Sequence, residues 1–257
     1  MFERRVFLLA LLFLCGIFAA TAQQTLRLAA AADLQPVLPP LITAFHQQTG
    51  IQVLASYQSS ATLATQIIEG APFDLFLAAD MSFPQRVIAA GKAEGAAPIL
   101  YARGTLVLWT RNDSGITNLS LEALREPAIR SIAIASPEHA PYGRAAQAAL
   151  QRTNLLAAVQ SRLRIAENIA QAAQYVDSGN AQVGFISLTS ALTPRLRADG
   201  HYVQVPSQDY PPILQGAVIM RGTKNAAAAR RFLDFLQSPG IAQTLANSGL
   251  EPVQQAH

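Results

Sequence analysis

Short apolar runs alternate with amphipathic helical segments along most of this chain, and that alternation limits the fold more than any other feature. Leu26–Ala32 fades into small residues before Asp33, and Leu38, Leu41, Ile42 and Phe45 then recur at helical spacing until Thr49-Gly50. Pro36, Pro39 and Pro40 fit only in or before the first turn of that helix, where a missing N–H costs little. Ile51–Ala55 is a second run, Ser59–Glu69 a second helix, and Asp74–Ala78 a third run. Buried runs each followed by a helix are the strands of a parallel sheet covered on both faces.

The pattern continues through a helix near Phe83–Ala90 and a buried strand at Leu106–Trp109, then restarts. Leu119–Arg125 reads as a short helix, Ile132–Ala135 as a strand and Gly143–Gln151 as an alanine-rich helix. Ile169–Ser178 is another helix, with strands at Val183–Ile186 and Tyr202–Val205. Ala217–Met220 returns as a strand before helices at Ala226–Gln237 and Ile241–Asn247. The expectation is an α/β protein of two lobes, each a mixed, mainly parallel sheet flanked by helices. Lobe I would comprise residues 23–109 and 211–257, and lobe II residues 110–210. Two short crossings, near Trp109-Thr110 and Tyr210-Pro211-Pro212, would form a hinge. Ligands of such sheets bind at the carboxyl ends of strands, so facing lobes would enclose one between them.

The first residues set the compartment. Arg4-Arg5 precedes an apolar run from Val6 to Ala20, and Ala20-Thr21-Ala22 is an A-x-A-like cleavage site. Residues 1–22 therefore read as a signal peptide, too short to span a bilayer, and the expected location is periplasmic. The apolar core favours the general secretory route over twin-arginine export. Cys15, the single cysteine, would leave with the signal, so the mature chain has no disulfide and no thiol ligand. About 235 residues remain, enough for one large domain or two ordinary ones. A hydrophobic share of 51% against 14% charged residues supports a substantial core and excludes disorder. Loss of Glu3, Arg4 and Arg5 lowers the formal charge from +3 to +2, and no basic cluster tracks a nucleic-acid backbone.

Chemistry concentrates at helix starts. Ser59-Ser60-Ala61-Thr62 opens one helix, and the strand ending at Ala78-Ala79 runs into the same region. Similar starts recur at Tyr142 and near Asn168. Free backbone N–H groups and two hydroxyls at such a terminus hold an anion without a cation. The residues point to a binding protein for a small oxyanion.

Together these segments resemble the molybdate-binding proteins of bacterial ABC importers, within the type II periplasmic binding-protein fold. The resemblance spans nearly all of the mature chain. It is carried by Ser59-Ser60 with Thr62-Leu63, Gly70–Asp74 with Ala79-Asp80, Leu106–Trp109, Ala140–Gly143, and Ser178–Asn180 with Val183–Phe185. It implies a receptor that captures molybdate or tungstate, uses no other cofactor, and docks onto a transporter permease, acting as a monomer without a membrane span. The implied oxyanion contacts are Ala32, Asp33, Ser59 or Ser60, Tyr142 and Ile169, with no residue serving as a direct cation ligand. Ile169 would contribute only its backbone. Some relatives add a tyrosine just after a second-lobe strand; Ser187 stands there, leaving the phenol to Tyr142.

Asp33 departs from the family's Ser or Asn. An ionised carboxylate only accepts hydrogen bonds, and beside a dianion it is strongly unfavourable. Three states are compatible with the sequence: Asp33 caps the first helix, is protonated, or accepts a proton from a monohydrogen oxyanion such as phosphate or arsenate. Asp74 and Asp80 read as loop-orienting residues, Trp109 as core or hinge packing, and His139 as the rim of a cleft. Catalysis is not expected, because no G-x-S-x-G elbow, phosphate loop or metal-spaced histidine pattern is present. A sensory receptor and a permease-coupled one would share all of these features.

Overall fold

The computed structural model describes residues 24–253 and contains two sheets. The signal-peptide reading of residues 1–22 lies outside them. The first lobe begins with β1 (Thr25–Ala31), a 3-10 turn (Ala32–Leu34), α1 (Leu38–Thr49), β2 (Gln52–Gln58), α2 (Ser60–Ile68), β3 (Leu75–Ala78), α3 (Ser82–Ala89) and β4 (Ile99–Gly104). The chain then enters the second lobe through β5 (Leu106–Arg111), β6 (Ile132–Ala135), α4 (Pro141–Arg152), α5 (Leu156–Val159), β7 (Leu163–Ala166), α6 (Ile169–Asp177), β8 (Val183–Ser187), α7 (Leu188–Ala191), α8 (Pro194–Asp199) and β9 (Gly200–Gln204). It returns with β10 (Ile213–Ile219), α9 (Ala226–Gln237), α10 (Pro239–Asn247) and β11 (Leu250–Pro252).

The first sheet has the order β11-β4-β10-β3-β1-β2 and the second β7-β6-β8-β5-β9. Both are mixed. β1 is parallel to β2 and β3, and β6 to β7 and β8. Each strand nearest a crossing runs antiparallel to its neighbours: β10 to β3 and β4, and β5 to β8 and β9. Parallel pairing therefore does not dominate either sheet, because a strand that enters from the other lobe arrives in the opposite direction.

Leu106–Trp109 does not close lobe I, as its expected place before the crossing would require; it belongs to the second sheet. It pairs with β8 through Leu108↔Phe185 and with β9 through Leu108↔Val203. The first crossing is thus the single residue Thr105, between β4 and β5. The run is apolar on both faces because β5 is an interior strand, and periodicity alone does not say which sheet such a strand enters. The return crossing covers residues 205–212, including the expected Tyr210-Pro211-Pro212. It is tied to the first by Val205 N–H to the Leu106 carbonyl (3.1 Å) and by Leu106 N–H to the Tyr210 hydroxyl oxygen (3.2 Å).

Alternation along the strands fills both faces of the first sheet. Leu26, Leu28, Leu75, Leu77 and Ala217 pack with Phe45 of α1 and Phe232 of α9, whose rings meet edge to face at 5.0 Å. Ala29, Phe76, Ala78 and Val218 turn to the opposite face, against Leu63 of α2 and Val87 of α3. The second lobe is built on Trp109, Phe185 and the alanines of α4, where Ala145, Ala146 and Ala149 are buried and allow close helix approach. Trp109 donates its Nε1–H to the Leu196 carbonyl (3.1 Å), so its one polar atom is satisfied in the core.

Candidate functional site

The parallel strands of each lobe end at the cleft, and the segments just beyond their ends supply its lining. Ala31, Ala32 and Asp33 come from the end of β1 and its 3-10 turn, Gln58, Ser59 and Ser60 from the β2–α2 junction, and Ala79 from the loop after β3. From the second lobe come Ala140, Pro141 and Tyr142 at the start of α4, and Asn168 and Ile169 at the start of α6. The cleft is tightly closed, with only about 10 Å³ open to the centre of a water-sized sphere. All six residues singled out in the sequence lie here: Ala32, Asp33, Ser59, Ser60, Tyr142 and Ile169. None of the lining residues is lysine or arginine.

The two serines have different tasks. Ser59 is the N-cap of α2: its Oγ accepts from Thr62 N–H (3.1 Å) and shares a hydrogen bond with the Thr62 hydroxyl (2.7 Å). Ser60, the first residue of the helix, accepts the Ala79 N–H through its Oγ (3.0 Å), which anchors the end of β3. That bond leaves the Ser60 hydroxyl proton to donate into the cleft, alongside the Ser60 N–H; the other first-turn N–H groups, of Ala61 and Thr62, go to the His139 carbonyl and the Ser59 hydroxyl oxygen. Asn168 caps α6 by accepting from Gln171 N–H (3.0 Å), which orients the free turn that starts at Ile169. α4 begins with Pro141 and has no side-chain cap. Proline sets φ for a helix start, and the N–H groups of Tyr142 and Gly143 come directly after it. Three helix starts and the 3-10 turn at Ala32–Asp33 thus present positive dipole ends to one small volume.

Asp33 is fully buried. Its side chain makes no cap to α1 or to its own turn, so the capping reading does not hold. Its Oδ2 instead accepts from the Tyr142 hydroxyl (3.1 Å) of the opposite lobe and from the Gln215 side-chain amide on β10. Burial pushes the Asp33 carboxyl up to about 6, against these two hydrogen bonds and its own backbone N–H, which pull it down. Burial, with the Asp33 charge second, drives the Tyr142 and Tyr101 phenols well above their usual range, so both stay neutral donors. The Asp33 carbonyl is held from the second lobe by the Thr189 hydroxyl (2.7 Å).

Further contacts join the lobes around the cleft. Ala61 N–H donates to the His139 carbonyl (3.2 Å), which places His139 on the rim with its ring exposed. Arg144 of α4 pairs with Asp80, its guanidinium 5.1 Å from the Phe83 ring centroid. Asp80 also accepts from Phe83 N–H (3.1 Å) and the Ser82 hydroxyl (2.8 Å) at the start of α3. Asp74, at the other end of β3, accepts from Arg27 N–H (2.7 Å), Asn225 (3.1 Å) and Thr223. Both aspartates orient loops, as their positions beside a strand imply. Ser187, where some relatives of the resembled family place a tyrosine, caps α7. Among the described residues, no group of three or more His, Cys, Asp or Glu is placed to hold a metal ion.

Sequence reasoning missed Gln215, Thr189 and Arg144. Gln215 had a signal, since a glutamine inside the apolar run Ile213–Met220 needs a buried partner. Thr189 and Arg144 had none, because each acts on a residue more than sixty positions away.

Comparison with known proteins supplies the last observation. The family described as "Bacterial extracellular solute-binding protein" matches residues 26–251. The molybdate-binding protein ModA of Azotobacter vinelandii is 33% identical over 231 residues, covering 90% of this chain and 91% of that protein. ModA of Rhodobacter capsulatus is 31% identical, covering 93% of each. The solved structure of the Azotobacter vinelandii periplasmic molybdate-binding protein superposes with a TM-score of 0.83 at 31% identity, covering 89% of this chain and all of that one.

Proposed function

This chain belongs to the bacterial extracellular solute-binding protein family, and on that footing we propose that its interlobe cleft captures molybdate or tungstate for delivery to an ABC importer. The observation that carries this reading is the convergence of three helix starts, the Ser60 hydroxyl and the Ala32–Asp33 turn on one small cleft without a cation. A tetrahedral dianion needs about six or more donors around its four oxygens, and helix N-termini supply them with favourable dipoles. Ala32, Asp33 and Ile169 contribute backbone N–H groups, Ser60 a hydroxyl and a backbone group, Ser59 the cap that holds the turn, and Tyr142 a backbone N–H, its phenol being engaged by Asp33 rather than left for the ligand as the resemblance implied. The role is binding rather than catalysis. Contacts across the cleft, such as Ala61 with His139 and Arg144 with Asp80, keep the lobes together once the ligand is seated. The receptor works outside the cytoplasm as a monomer, and a permease is its membrane partner.

The test is thermal unfolding of the mature protein with molybdate, tungstate, sulfate, phosphate or arsenate at fixed pH. A ligand at one hundred times its Kd adds about 2.7 kcal/mol, which raises the midpoint by several degrees. The expected shift comes with molybdate and tungstate. A shift with phosphate or arsenate alone would overturn the cargo. Within the site, Ser60→Ala should weaken molybdate binding by roughly 1–3 kcal/mol, because a ligand oxygen loses a charge-assisted donor and Ala79 N–H loses its acceptor. Calorimetric titration reads this directly; unchanged affinity would remove Ser60 from the site.

A further inference from the structure

Among the described residues, only two buried side-chain oxygens or nitrogens lack a hydrogen-bond partner: Asp33 Oδ1 and Gln215 Oε1. They belong to the two members of one hydrogen-bonded pair on the first lobe, at the point where Tyr142 of the second lobe meets it. Such atoms are rare in folded proteins and call for an explanation. Oδ2 already accepts two hydrogen bonds, from Tyr142 and Gln215, so a proton on this carboxyl belongs on Oδ1. A protonated Oδ1 becomes a donor, and Asp33 lines the cleft.

The surroundings offer no other way to neutralise the carboxylate. The titratable groups facing it are Tyr142 from α4 and Tyr101 from β4, both held neutral by burial. Tyr210, on the return crossing, is also raised and faces Tyr142. The interlobe ion pair, Arg144 with Asp80, is already formed within itself. An anionic ligand entering this cleft therefore meets a buried carboxyl with no cation to offset it.

We propose that Asp33 makes oxyanion capture proton-coupled: about one proton enters with each dianion and sits on Asp33 Oδ1, which then donates to a ligand oxygen. This rests on the cleft being the oxyanion site. The proton comes from solvent as the lobes close and returns to solvent when they open, so no other co-reactant is needed. Tyr142 and Gln215 are positioning residues in this scheme. By occupying Oδ2 they direct the proton to Oδ1. Because only the protonated carboxyl accommodates the dianion, affinity is greatest at low pH and falls as pH rises above the carboxyl's value in the free protein.

The experiment is calorimetric titration of the mature protein with sodium molybdate, in buffers of different ionisation enthalpy, between about pH 6 and about pH 8. Expected are an uptake approaching one proton per molybdate and a Kd that rises toward about tenfold per pH unit. Asp33→Asn, whose amide donates without titrating, should bind molybdate with no proton uptake and a flat pH profile. Tyr142→Phe removes one hydrogen bond that lowers the Asp33 carboxyl, so its pH profile should move to higher pH. Tight molybdate binding by the unmodified protein without proton uptake would overturn the proposal alone. Absence of molybdate binding at any pH would overturn the cargo reading and this proposal with it.

Discussion

Gly104→Ala should weaken ligand capture markedly while leaving both lobes folded. Gly104 ends β4, one residue before the chain crosses to the second lobe, and a Cβ there would overlap the Tyr142 hydroxyl oxygen and lie 2.8 Å from Cζ. Both approaches are far inside contact, and the Tyr142 ring is buried at the start of α4 with nowhere to retreat while the cleft is closed. The third neighbour, Ile213 Cγ2 at 3.2 Å, can give by a few tenths of an ångström. The clash is thus between lobes rather than within one, and opening the cleft relieves it. Overpacking of this kind costs about 1–3 kcal/mol, which here falls on closure and weakens binding by roughly ten- to a hundredfold. Titration should show that loss, with an unfolding midpoint in the absence of ligand close to that of the parent. Adding Tyr142→Phe should restore part of the affinity, since it removes the nearer atom but keeps Cζ. Parental affinity in Gly104→Ala would mean that Tyr142 does not hold this position in the complex.

Trp109→Ala should be the most damaging single truncation for stability. The indole is fully buried on β5, the strand between β8 and β9, and its Nε1–H satisfies the Leu196 carbonyl. Gly200 lies against the ring so closely that a Cβ would overlap Cζ2, so the backbone of β9 is fitted to this side chain. Removing a core Trp costs about 3–5 kcal/mol, and the Leu196 carbonyl is left with the Gly200 N–H as its donor. For a chain of this size the midpoint should fall by on the order of 10 °C. Calorimetry should place the loss in the second lobe, as an early transition ahead of the first lobe. A drop of only a degree or two would mean that the core collapses around the gap.

The starts of α2, α4 and α6 were legible because the signals are local: a serine pair, a proline before Tyr142, and Asn168 before an amphipathic run. That locality let the helix starts be read from sequence; the resemblance then pointed to Ser59, Ser60, Tyr142 and Ile169, and all four line one cleft. Sheet membership was not legible for Leu106–Arg111, because its partners Phe185 and Val203 lie far along the chain. β7 escaped notice because Leu163–Ala166 is an edge strand with Ile165 turned to solvent, so its apolar signal is diluted. Asp33 shows a local rule being overridden. An aspartate ahead of a helix is a natural cap, yet Tyr142 and Gln215, neither of them near in sequence, draw its carboxyl into the interior. Gly104 carries no side chain to read; its importance appears only once Tyr142 is seen against it.

The two crossings also constrain the order in which the molecule can be made. β4 and β10 are sheet neighbours, with Gly104 in register with Ile213, yet the whole second lobe is threaded between them. Residues 106–204 form a contiguous sheet and can fold as soon as they emerge. The first sheet cannot: β4 joins β3 only through β10, and β11 completes the edge beyond β4. During vectorial synthesis β2, β1 and β3 can pair early, but β4 and the outer edge of β3 wait for β10 to emerge. The inserted lobe acts as the template that brings Gly104 and Ile213 together, turning a closure over more than a hundred residues into a short local one.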